Sequence, residues 1–509
     1  MSKLAVDFHK LSTFTSMSLP LGAIFGFYLG YMVSFYFHFL TVAFLFLFVV
    51  DLIYRFGQRR HIILRNFGII GQGRYLLESV GPELRQYLFA NDYEELPFNR
   101  SERSEVYRKA QNIDSASSFG TLLQYDAREI KLRHSMYPVS REELKPYALR
   151  LGARDGCHEF VLTRPLMISA MSYGALGEHA VRTLARGAKM AGIVMNTGEG
   201  GYPKYHLMEG CDLIFQLGTA KFGVRHDDGS LKDTALAELA AEDAIKMIEI
   251  KLSQGAKPGK GGLLPKEKIT PEISELRGVP MGRDVVSPPH HKECVDAAST
   301  VAFIRHVQEV SGVPVGIKMC MGSLDEFREL LVSMKAQQIF PDYISIDGGE
   351  GGTGASPKSF MDGFGMPLLP ALAGADRILK SEGIRDRMKL FAAGKLINPH
   401  RQMVAMAVGA DAIYSARGFM LAMGCIQSLQ CGNNTCPVGI TTHDKVLQRG
   451  LVVEARCQRV KNYVELTIHD LEQELIAVGC RSYGELSRRH LFVPHDSILA
   501  EEFKVEKSA

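Results

Sequence analysis

The chain has 509 residues, which is too long for one small domain and suits a large barrel with extensions. Hydrophobic residues make up 46% and charged residues 23%, as in a globular protein, and the net charge of +3 is too small to indicate a nucleic-acid partner. Nine cysteines are scattered along the chain, which excludes a secreted disulfide framework and favours a reducing, cytosolic setting for the part that carries them.

The N-terminal segment is far more apolar than the rest. Residues 11–50 contain no Asp, Glu, Lys or Arg, and this run is about twice as long as one membrane-spanning helix requires. It divides near residues 32–36 into two predicted helices, 15–31 and 36–53. A cleavable signal peptide would have a much shorter apolar core. Basic residues flank both ends, so the pattern predicts a transmembrane hairpin with both ends in the cytoplasm; a buried hairpin of a soluble protein is the alternative.

The composition divides the chain into four predicted segments. Residues 1–55 are predicted to be a membrane anchor, 56–150 a helical connecting region, 151–445 a barrel, and 446–509 a C-terminal helical extension. The connecting region contains "GIIGQG", but no strand–turn–helix frame surrounds these glycines, so a dinucleotide fingerprint is not indicated. The anchor predicts a multi-pass protein of the inner or plasma membrane whose barrel domain is cytoplasmic.

Short β-rich runs alternate with helical patterns from about residue 160. The strand candidates are "PLMISAM", "GIVMNTG", "LIFQLG", "AIKMIEI", "VPVGIKM", "YISIDGG", "KLFAAG" and "AIYSARG". The helical patterns between some of them are "EHAVRTLARGAKMA", "AASTVAFIRHVQEV", "LDEFRELLVSMKAQ" and "HRQMVAMAVGA". Eight such strands predict a (β/α)8 TIM barrel of the α/β class, whose chemistry gathers at the C-terminal ends of the strands.

The last two strand candidates carry a phosphate signal. "KLFAAG" ends at Gly394, and "AIYSARG" ends at Arg417 and Gly418 just before a helix. Barrels commonly bind a phosphate with the loops after strands 7 and 8, where glycine permits close backbone approach. The loop "IDGGEGGTGASP", which contains Gly348 and Gly349, is too rich in glycine for an ordinary connection. Simple turns would explain each piece, but together they predict a phosphate-bearing cofactor across the barrel mouth.

Three cysteines stand close together in "GCIQSLQCGNNTCPVGI". Cys425, Cys431 and Cys436 are separated by five and then by four residues. Structural zinc sites usually have four ligands in paired CxxC turns, and ferredoxins have a tighter run, so the spacing fits neither pattern.

At this point the sequence resembles the FMN-binding synthase domain of glutamate synthases. The matching blocks occur in the family's order over roughly residues 160–445: "ISAMSYGALG", "MNTGEGG", "QLGTAKFGV", "QGAKPGKGGLLP", "VSPPHH", "IDGGEGGTGASP" and "GCIQSLQCGNNTCPVGITTHD". The resemblance implies an FMN barrel that reduces 2-iminoglutarate, formed from 2-oxoglutarate and ammonia, to glutamate. It also implies that Cys425, Cys431 and Cys436 bind a 3Fe–4S cluster. Thiolates suit such clusters, and Pro437 after the last cysteine is similar to the ending of ferredoxin motifs. A zinc site with His443 as fourth ligand, or three free buried cysteines, are the alternatives.

The resemblance also assigns site residues. Ser169, Ala170, Met171 and Ser172, at the end of the first strand, would contact the flavin. Lys318 ends a buried strand, where an unpaired lysine is costly, and would stabilise negative charge on the reduced flavin or hold a substrate carboxylate; a surface salt bridge is the alternative. Glu199, Gln254 and Lys257 are candidates for the amino-acid pocket, in which Lys257 and Lys318 would oppose a dicarboxylate.

Other residues are interpreted as structural. His290 and His291 follow two prolines, where a rigid turn with capped histidines is favoured over a catalytic pair. Asp347 is expected to orient a loop rather than to act as a base. The remaining cysteines show no ligand spacing and are expected to be structural: Cys157, Cys211, Cys294, Cys320, Cys457 and Cys480.

Departures from the family bear on function. The chain begins with an apolar segment in place of the family's N-terminal glutaminase domain, so no glutaminase activity is expected, and the C-terminal β-helix domain is not expected either. No nicotinamide fingerprint is evident, so electrons are expected from a separate one-electron donor such as ferredoxin, a reductase subunit or a membrane carrier. A related flavoenzyme acting on another amino or keto acid, or a non-enzymatic membrane scaffold, are the alternative functions.

Overall fold

The computed structural model describes residues 2–113, 116–122, 130–494, 497 and 499–500. The chain divides into two compact units, Met1–Ser101 and Glu102–Ala509. Each unit is described by itself below.

The N-terminal unit is helical. Its α-helices are α1 (Ser2–Met32), α2 (His38–Leu52), α3 (Ile62–Phe67) and α4 (Gln72–Leu84). A π-helical turn, Ile53–Gly57, continues α2, and a second, Arg85–Phe89, continues α4. The first helix therefore contains the predicted segment 15–31, although it begins well before residue 15, and α2 with its π-helical turn covers the predicted segment 36–53 except for its first two residues.

Glycines let α1 and α2 pack closely in antiparallel directions. A Cβ atom at Gly22 would lie 2.9 Å from the Phe44 ring, and one at Gly26 would lie 3.0 Å from the Thr41 nitrogen. A Cβ atom at Gly30 would lie 2.6 Å from the His38 ring, so three glycines spaced by four residues face the second helix along one line. Small residues at this spacing allow helix backbones to approach in membranes.

One helical segment in the described part of the chain, Phe35–Gly57, is long and apolar enough to cross a membrane, judged by length and composition. Of the two predicted membrane-spanning helices, only the second therefore lies in a segment that is long and apolar enough to span by this measure.

The second unit is built around a closed barrel. Its strands are β1 (Lys131–Leu132), β2 (Leu149–Leu151), β3 (Phe160–Leu162), β4 (Leu166–Ile168), β5 (Met195–Asn196), β6 (Leu213–Leu217), β7 (Ile245–Lys251), β8 (Leu263–Leu264), β9 (Val285–Val286), β10 (Val315–Met319), β11 (Tyr343–Asp347), β12 (Lys389–Ala393), β13 (Ala412–Ser415) and β14 (Leu491–Phe492). Eight of them close in the order β4-β5-β6-β7-β10-β11-β12-β13, and all neighbouring pairs are parallel. The predicted (β/α)8 barrel is confirmed, and each of its strands lies within one of the eight candidate runs except β7, which extends one residue beyond its run to Lys251.

Helices connect and extend the barrel. They are α5 (Arg100–Ala110), α6 (Glu178–Ala191), α7 (Lys204–Leu207), α8 (Asp233–Ala240), α9 (Pro271–Arg277), α10 (Ala297–Ser311), α11 (Leu324–Gln337), α12 (Lys358–Gly363), α13 (Leu368–Ser381), α14 (Pro399–Val408), α15 (Arg417–Met423), α16 (Lys445–Gln448) and α17 (Val453–Val478). The helices α10, α11 and α14 begin at side-chain caps, Asp296, Ser323 and Asn398, which accept hydrogen bonds from first-turn amides. The long α17 lies within the segment 446–509, for which the sequence predicts a helical extension.

Aromatic side chains fill the barrel interior. The rings of Tyr343 and Phe391 stack with centroids 4.3 Å apart, and Phe391 meets Tyr414 edge-on at 5.8 Å. Gly316 on β10 makes room for them, because a Cβ atom there would lie 2.3 Å from the Tyr343 ring. This packed layer supports the polar side chains at the C-terminal ends of the strands.

Candidate active site

Two buried lysines stand side by side at the mouth of the barrel. Lys251 ends β7, Lys318 lies near the end of β10, and the two residues are register partners on these neighbouring strands. In-register residues of parallel strands project to the same face of the sheet. The sequence analysis identified Lys318 but missed Lys251, because the strand candidate "AIKMIEI" stopped one residue short of it.

Lys251 joins two of the predicted pocket residues. Its Nζ lies 2.5 Å from Glu199 Oε1 and donates to Gln254 Oε1 at 3.0 Å. Gln254 Nε2 in turn donates to the Gly352 carbonyl at 2.9 Å, which connects this group to the glycine-rich loop after β11. The structure therefore brings Glu199 and Gln254 together through a cation that the sequence analysis did not name.

Further cations surround the Glu199 carboxylate. Burial raises the pKa of Glu199, but the charges of Lys251, Lys257 and Arg277 outweigh that effect and leave it below its ordinary value. Burial, with a smaller contribution from Lys251, lowers the pKa of Lys257 to about 8. Burial likewise lowers the pKa of Arg277 to about 10, while Glu199 opposes the shift. Arg277, which ends α9, was also missed, since nothing in its local sequence marks it.

Lys318 is buried beside the barrel interior. Its Nζ lies 3.8 Å from Asp347 Oδ2 and 5.8 Å from the centroid of the Tyr414 ring. The Asp347 Oδ2 atom also accepts a hydrogen bond from the Gly255 amide at 2.9 Å. Asp347 thus holds the loop that carries Gln254 and Lys257, as expected from the sequence, and Lys318 is not part of a surface salt bridge.

A second buried carboxyl lies one layer deeper. Glu249 accepts hydrogen bonds from Asn196 at 2.8 Å, from Gln216 at 2.7 Å and from Tyr414 at 3.1 Å. Burial raises the pKa of Glu249, and the charge of Lys318 and these hydrogen bonds reduce the shift. Glu249 was not predicted as a site residue, although a glutamate in the middle of the apolar strand candidate "AIKMIEI" is a sequence signal for a buried carboxyl group.

The loop after β4 is buried at the same end of the barrel. It comprises the four residues predicted to contact the flavin: Ser169, Ala170, Met171 and Ser172. The Ser169 amide donates to the Ser415 carbonyl at 2.9 Å, and the Met171 carbonyl contacts His206 Nε2 at 3.1 Å. A Cβ atom at Gly198, where φ is +65°, would lie 2.7 Å from the Ser172 nitrogen.

Two cations converge on the predicted phosphate loops. Arg417 and Gly418 begin α15, and Gly394, with φ +144°, follows β12 directly. Burial lowers the pKa of Lys395, and the nearby Arg417 lowers it further, so the two positive charges repel each other. Arg417 also donates to the Glu350 carbonyl at 2.7 Å. Lys395 was missed, although it directly follows the glycine that was identified.

Gly348 and Gly349 lie in closely packed backbone and make hydrogen bonds within the protein. The Gly348 amide donates to Ala393 O and the Gly349 amide to Met366 O, both at 2.8 Å. A Cβ atom at Gly348 would lie 2.6 Å from the Leu368 Cβ, and one at Gly349 would lie 2.8 Å from the Gly365 carbonyl oxygen. The amides of these two predicted cofactor-binding residues are thus hydrogen-bonded within the barrel.

The three predicted cluster ligands lie on one tightly bent loop. Its backbone has positive φ at the non-glycine residues Gln427, Leu429 and Asn434, which side chains rarely adopt. Burial raises the pKa of Cys425 to about 12. The Cys436 pKa is lowered, because hydrogen bonds from Thr441, Val438 and Ile440 to its sulfur outweigh burial.

Lys268 ties this loop to the loop after β4. Its buried Nζ donates to the Ala175 carbonyl at 2.6 Å and to the Cys431 carbonyl at 3.1 Å. Tyr107 on α5 donates to the Cys425 carbonyl at 2.6 Å. Neither Lys268 nor Tyr107 was identified from the sequence, because both reach the loop from distant parts of the chain.

His443, considered as a zinc ligand, and His291, considered as part of a catalytic pair, both contact backbone oxygens. His443 Nε2 contacts the Gly174 carbonyl at 3.0 Å, and His291 Nε2 contacts the Lys251 carbonyl at 3.0 Å. Within the described residues, no group of three or more His, Cys, Asp and Glu side chains could hold a metal ion. A zinc ion bound by His443 and the three cysteines therefore has no support in the geometry.

Taken together, the barrel mouth has the features of an enzyme site for an anionic substrate beside an anionic cofactor. Buried cations line one side, two more flank the phosphate loops, and the thiol loop lies against the loop after β4. Residues 101–481 match a sequence model described as the conserved region in glutamate synthase. The chain therefore belongs to the glutamate synthase family of oxidoreductases.

Several relatives agree with this assignment. The glutamate synthase large subunit-like protein YerD of Bacillus subtilis (strain 168) is 38% identical over 473 residues, which cover 85% of this chain and 90% of that protein. The archaeal glutamate synthase (NADPH) of Methanocaldococcus jannaschii is 34% identical over 325 residues, 64% of this chain and 61% of that protein. Among solved structures, the flavin-binding domain of baker's yeast flavocytochrome b2 matches with a TM-score of 0.45 at 13% identity, covering 77% of this chain and 78% of that chain, and this likeness carries no functional weight.

Proposed function

We propose that this protein reduces 2-iminoglutarate, formed from 2-oxoglutarate and ammonia, to glutamate. The observation that carries the proposal is the group of buried cations around Glu199. Lys251, Lys257 and Arg277 outnumber this carboxylate by two charges, and all three cations are less than 9% exposed. Unbalanced buried charge is costly, and a five-carbon dicarboxylate would supply the two missing negative charges. Membership of the glutamate synthase family supports the same substrate class.

Some pocket residues would bind the substrate, and others would orient the residues around it. Lys257 and Arg277 would hold the substrate carboxylates. Glu199 and Gln254 would fix Lys251 by the contacts of 2.5 Å and 3.0 Å described above. Lys318, on the neighbouring strand, would stabilise the negative charge that accumulates at the reacting end of the site.

FMN, when bound, would supply the two-electron hydride chemistry. The residues present fit this cofactor, because Lys395 and Arg417 repel each other beside Gly394, and a phosphate would add to the negative charge that Glu350 already supplies there. The loop Ser169–Ser172 and Lys318 would contact the isoalloxazine ring, and Gly418 would lie next to the phosphate. Gly348 and Gly349 would shape the loop rather than bind the phosphate, since their amides have partners within the protein.

The three cysteines would hold a 3Fe–4S cluster that carries single electrons. Hydrogen bonds to the Cys436 sulfur favour its thiolate, which is the form that binds iron. Each thiolate of such a cluster binds a different iron atom, so the three need not converge on one metal ion. The donor would be a separate one-electron carrier such as ferredoxin or a reductase subunit.

The N-terminal unit would anchor the enzyme to the inner or plasma membrane. The segment Phe35–Gly57 would span it, and α1 would pack on α2 through its glycine row to complete a hairpin. Basic residues at both ends would keep both ends, and the barrel, in the cytoplasm.

The experiment is the conversion of isotopically labelled ammonium and 2-oxoglutarate into labelled glutamate by the purified full-length protein and a chemical reductant. Labelled glutamate should form, and Lys257→Gln should raise the KM for 2-oxoglutarate strongly while the protein retains FMN. Lys246→Gln is the matched control, because Lys246 lies on β7, the strand before the Lys257 loop, and its partner is the exposed Asp243. Labelled product from another keto acid, and none from 2-oxoglutarate, would refute the proposal.

A further inference from the structure

We propose that α4 and the turn Arg85–Phe89 form an amphipathic segment that lies on an anionic phospholipid surface; this inference rests on the membrane anchor proposed above. The apolar side chains of the segment are strongly exposed. Leu76, Leu77 and Leu88 are 64%, 65% and 69% exposed, and Val80 and Tyr87 are exposed beside them. Positions 76, 77, 80, 84, 87 and 88 recur at the spacing of one helix face, so they form a continuous apolar row.

The opposite face of α4 packs within the N-terminal unit. Tyr75 contacts the His61 ring edge-on, with centroids 5.6 Å apart. Side chains at this helix face are polar or less exposed than those of the apolar row. The row therefore faces away from α3 and its neighbours.

The segment is held at the end of the proposed membrane span. Gln72, the first residue of α4, donates to the Tyr54 hydroxyl at 2.7 Å, and the Ile69 amide donates to Asp51 Oδ1 at 2.7 Å. Asp51 also accepts from Ser16 at 2.6 Å and from Arg55 at 2.8 Å. Because Tyr54 lies within Phe35–Gly57, these contacts place the start of α4 where the span would leave the bilayer.

The positive charge near this segment indicates that the apolar row lies on an anionic lipid surface. Residues 56–89 contain five exposed arginines and only two acidic residues: Arg59, Arg60, Arg65, Arg74 and Arg85 against Glu78 and Glu83. Basic residues within a few turns of a spanning helix are attracted to anionic headgroups. Arg59, Arg60 and Arg65 lie between the proposed span and α4, whereas the two arginines and two glutamates within residues 72–89 balance each other. An exposed apolar row next to such a basic stretch is typical of a helix that lies in the membrane interface.

The chain contains no tryptophan, so a single introduced tryptophan reports on one position. The full-length protein would carry Leu77→Trp in the apolar row, or Ser79→Trp as the control on another face of the same helix. Each variant would be placed in bilayers with and without phosphatidylglycerol and with normal or brominated acyl chains. Brominated chains should remove most of the Leu77→Trp emission and little of the Ser79→Trp emission. The difference should shrink when phosphatidylglycerol is omitted or when Arg59, Arg60 and Arg65 are replaced by Gln.

A third variant, Phe46→Trp in α2, separates this inference from the anchor. If Phe46→Trp is quenched while Leu77→Trp and Ser79→Trp are equally unquenched, the anchor stands and the surface segment is refuted. If Phe46→Trp is also unquenched, the anchor itself fails, and the present inference falls with it. A partner protein or the barrel on this face would give an unquenched Leu77→Trp and is therefore counted against the proposal.

Discussion

Lys251 and Lys318 occupy matched positions on the neighbouring strands β7 and β10, and each faces a carboxylate. Lys251 is 2.5 Å from Glu199, whereas Lys318 is 3.8 Å from Asp347. The tighter pair belongs to the proposed substrate pocket, and the looser one leaves Lys318 able to meet additional negative charge. This difference in pairing underlies the division of roles proposed above.

Breaking the tighter pair should weaken substrate binding. Lys251→Gln removes the cation in direct contact with Glu199 and one of the three positive charges around it, so the KM for 2-oxoglutarate should rise about tenfold or more, which corresponds to about 1.4 kcal/mol. The double variant with Glu199→Gln should recover part of the loss, because the repulsive charge is removed as well. Steady-state kinetics of the two single variants and the double variant provide the measurement. Strictly additive losses would contradict the pairing, and Lys246→Gln is the control on the same strand.

Substrate binding should depend on pH through Lys257. Its pKa of about 8 means that the ammonium form is complete well below pH 8 and is lost as the pH rises through that value. Affinity for a dicarboxylate should therefore be highest below pH 8 and fall above it. Glutarate, which has the two carboxylates but no keto group, allows binding to be titrated without ammonia. The Lys257→Arg variant keeps its positive charge, so it should bind glutarate equally well above and below pH 8. If this variant showed the same loss of affinity above pH 8 as the unmodified protein, the assignment to Lys257 would be contradicted.

Arg417 should retain FMN. Arg417→Glu places a negative charge at the phosphate position, and the purified protein should lose most of its FMN and its yellow colour. Arg387→Glu is a suitable control, because Arg387 precedes β12 and so lies at the other end of the barrel strands. Normal FMN content in Arg417→Glu would rule out the phosphate assignment.

The cysteine loop should carry the electrons. Cys431→Ser should lower the iron content and the cluster signal, because a hydroxyl replaces a thiolate ligand poorly, while FMN stays bound. Donor-driven turnover should collapse, whereas turnover with chemically reduced flavin should persist. The control is Cys457→Ser, a buried cysteine of α17 outside the loop. Full donor-driven activity in Cys431→Ser would mean that electrons do not pass through this loop.

Glu474 on α17 should make the barrel unit less stable at neutral pH. Burial raises its pKa from 4.5 to about 7, with Asp470 and Glu105 adding to the shift and Lys109 opposing it. A carboxyl whose pKa is raised on folding stabilises the fold below its unfolded pKa, and this contribution is lost as the pH rises through the folded value. Glu474→Gln should therefore raise the melting temperature at pH 8 and change it little at pH 4. Glu472→Gln, a less buried neighbour on α17, is the control, and an equal effect at both pH values would contradict the shift.

Much of the barrel could be predicted from the sequence because its signals are local. Buried parallel strands are short apolar runs, and the glycine or polar residue after each run marks its C-terminal end. Two of the predicted helices, α6 and α11, have the bounds that the pattern gave. The predicted anchor has a local signal too, although only the segment Phe35–Gly57 meets the measure of a membrane span.

The missed site residues depend on contacts between distant segments. Lys268 reaches the cysteine loop across 163 positions of the chain, and Arg277 donates to the Tyr173 carbonyl across 104. Nothing in the sequence around either residue marks it as buried. The close backbone packing at Gly348 and Gly349 gives a second reason for glycine at these positions, and a glycine-rich run alone does not reveal it.

Topology reporters test the anchor. Fusions before Leu11 and after Arg65 should both report a cytoplasmic location, because α1 and α2 run in opposite directions and basic residues follow the second helix. A reporter before Leu11 on the opposite side of the membrane would mean that a single helix crosses, and the hairpin would be wrong.

The central claim is that the barrel reduces the imine of 2-oxoglutarate, and reoxidation of reduced flavin tests it most directly. The full-length protein would be reduced photochemically without oxygen and mixed with 2-oxoglutarate and ammonium, while the flavin absorbance is followed. The account predicts rapid return of the oxidised flavin spectrum with both compounds present, and only slow return with either alone. Rapid reoxidation by a different keto acid, with no response to 2-oxoglutarate and ammonium, would contradict it.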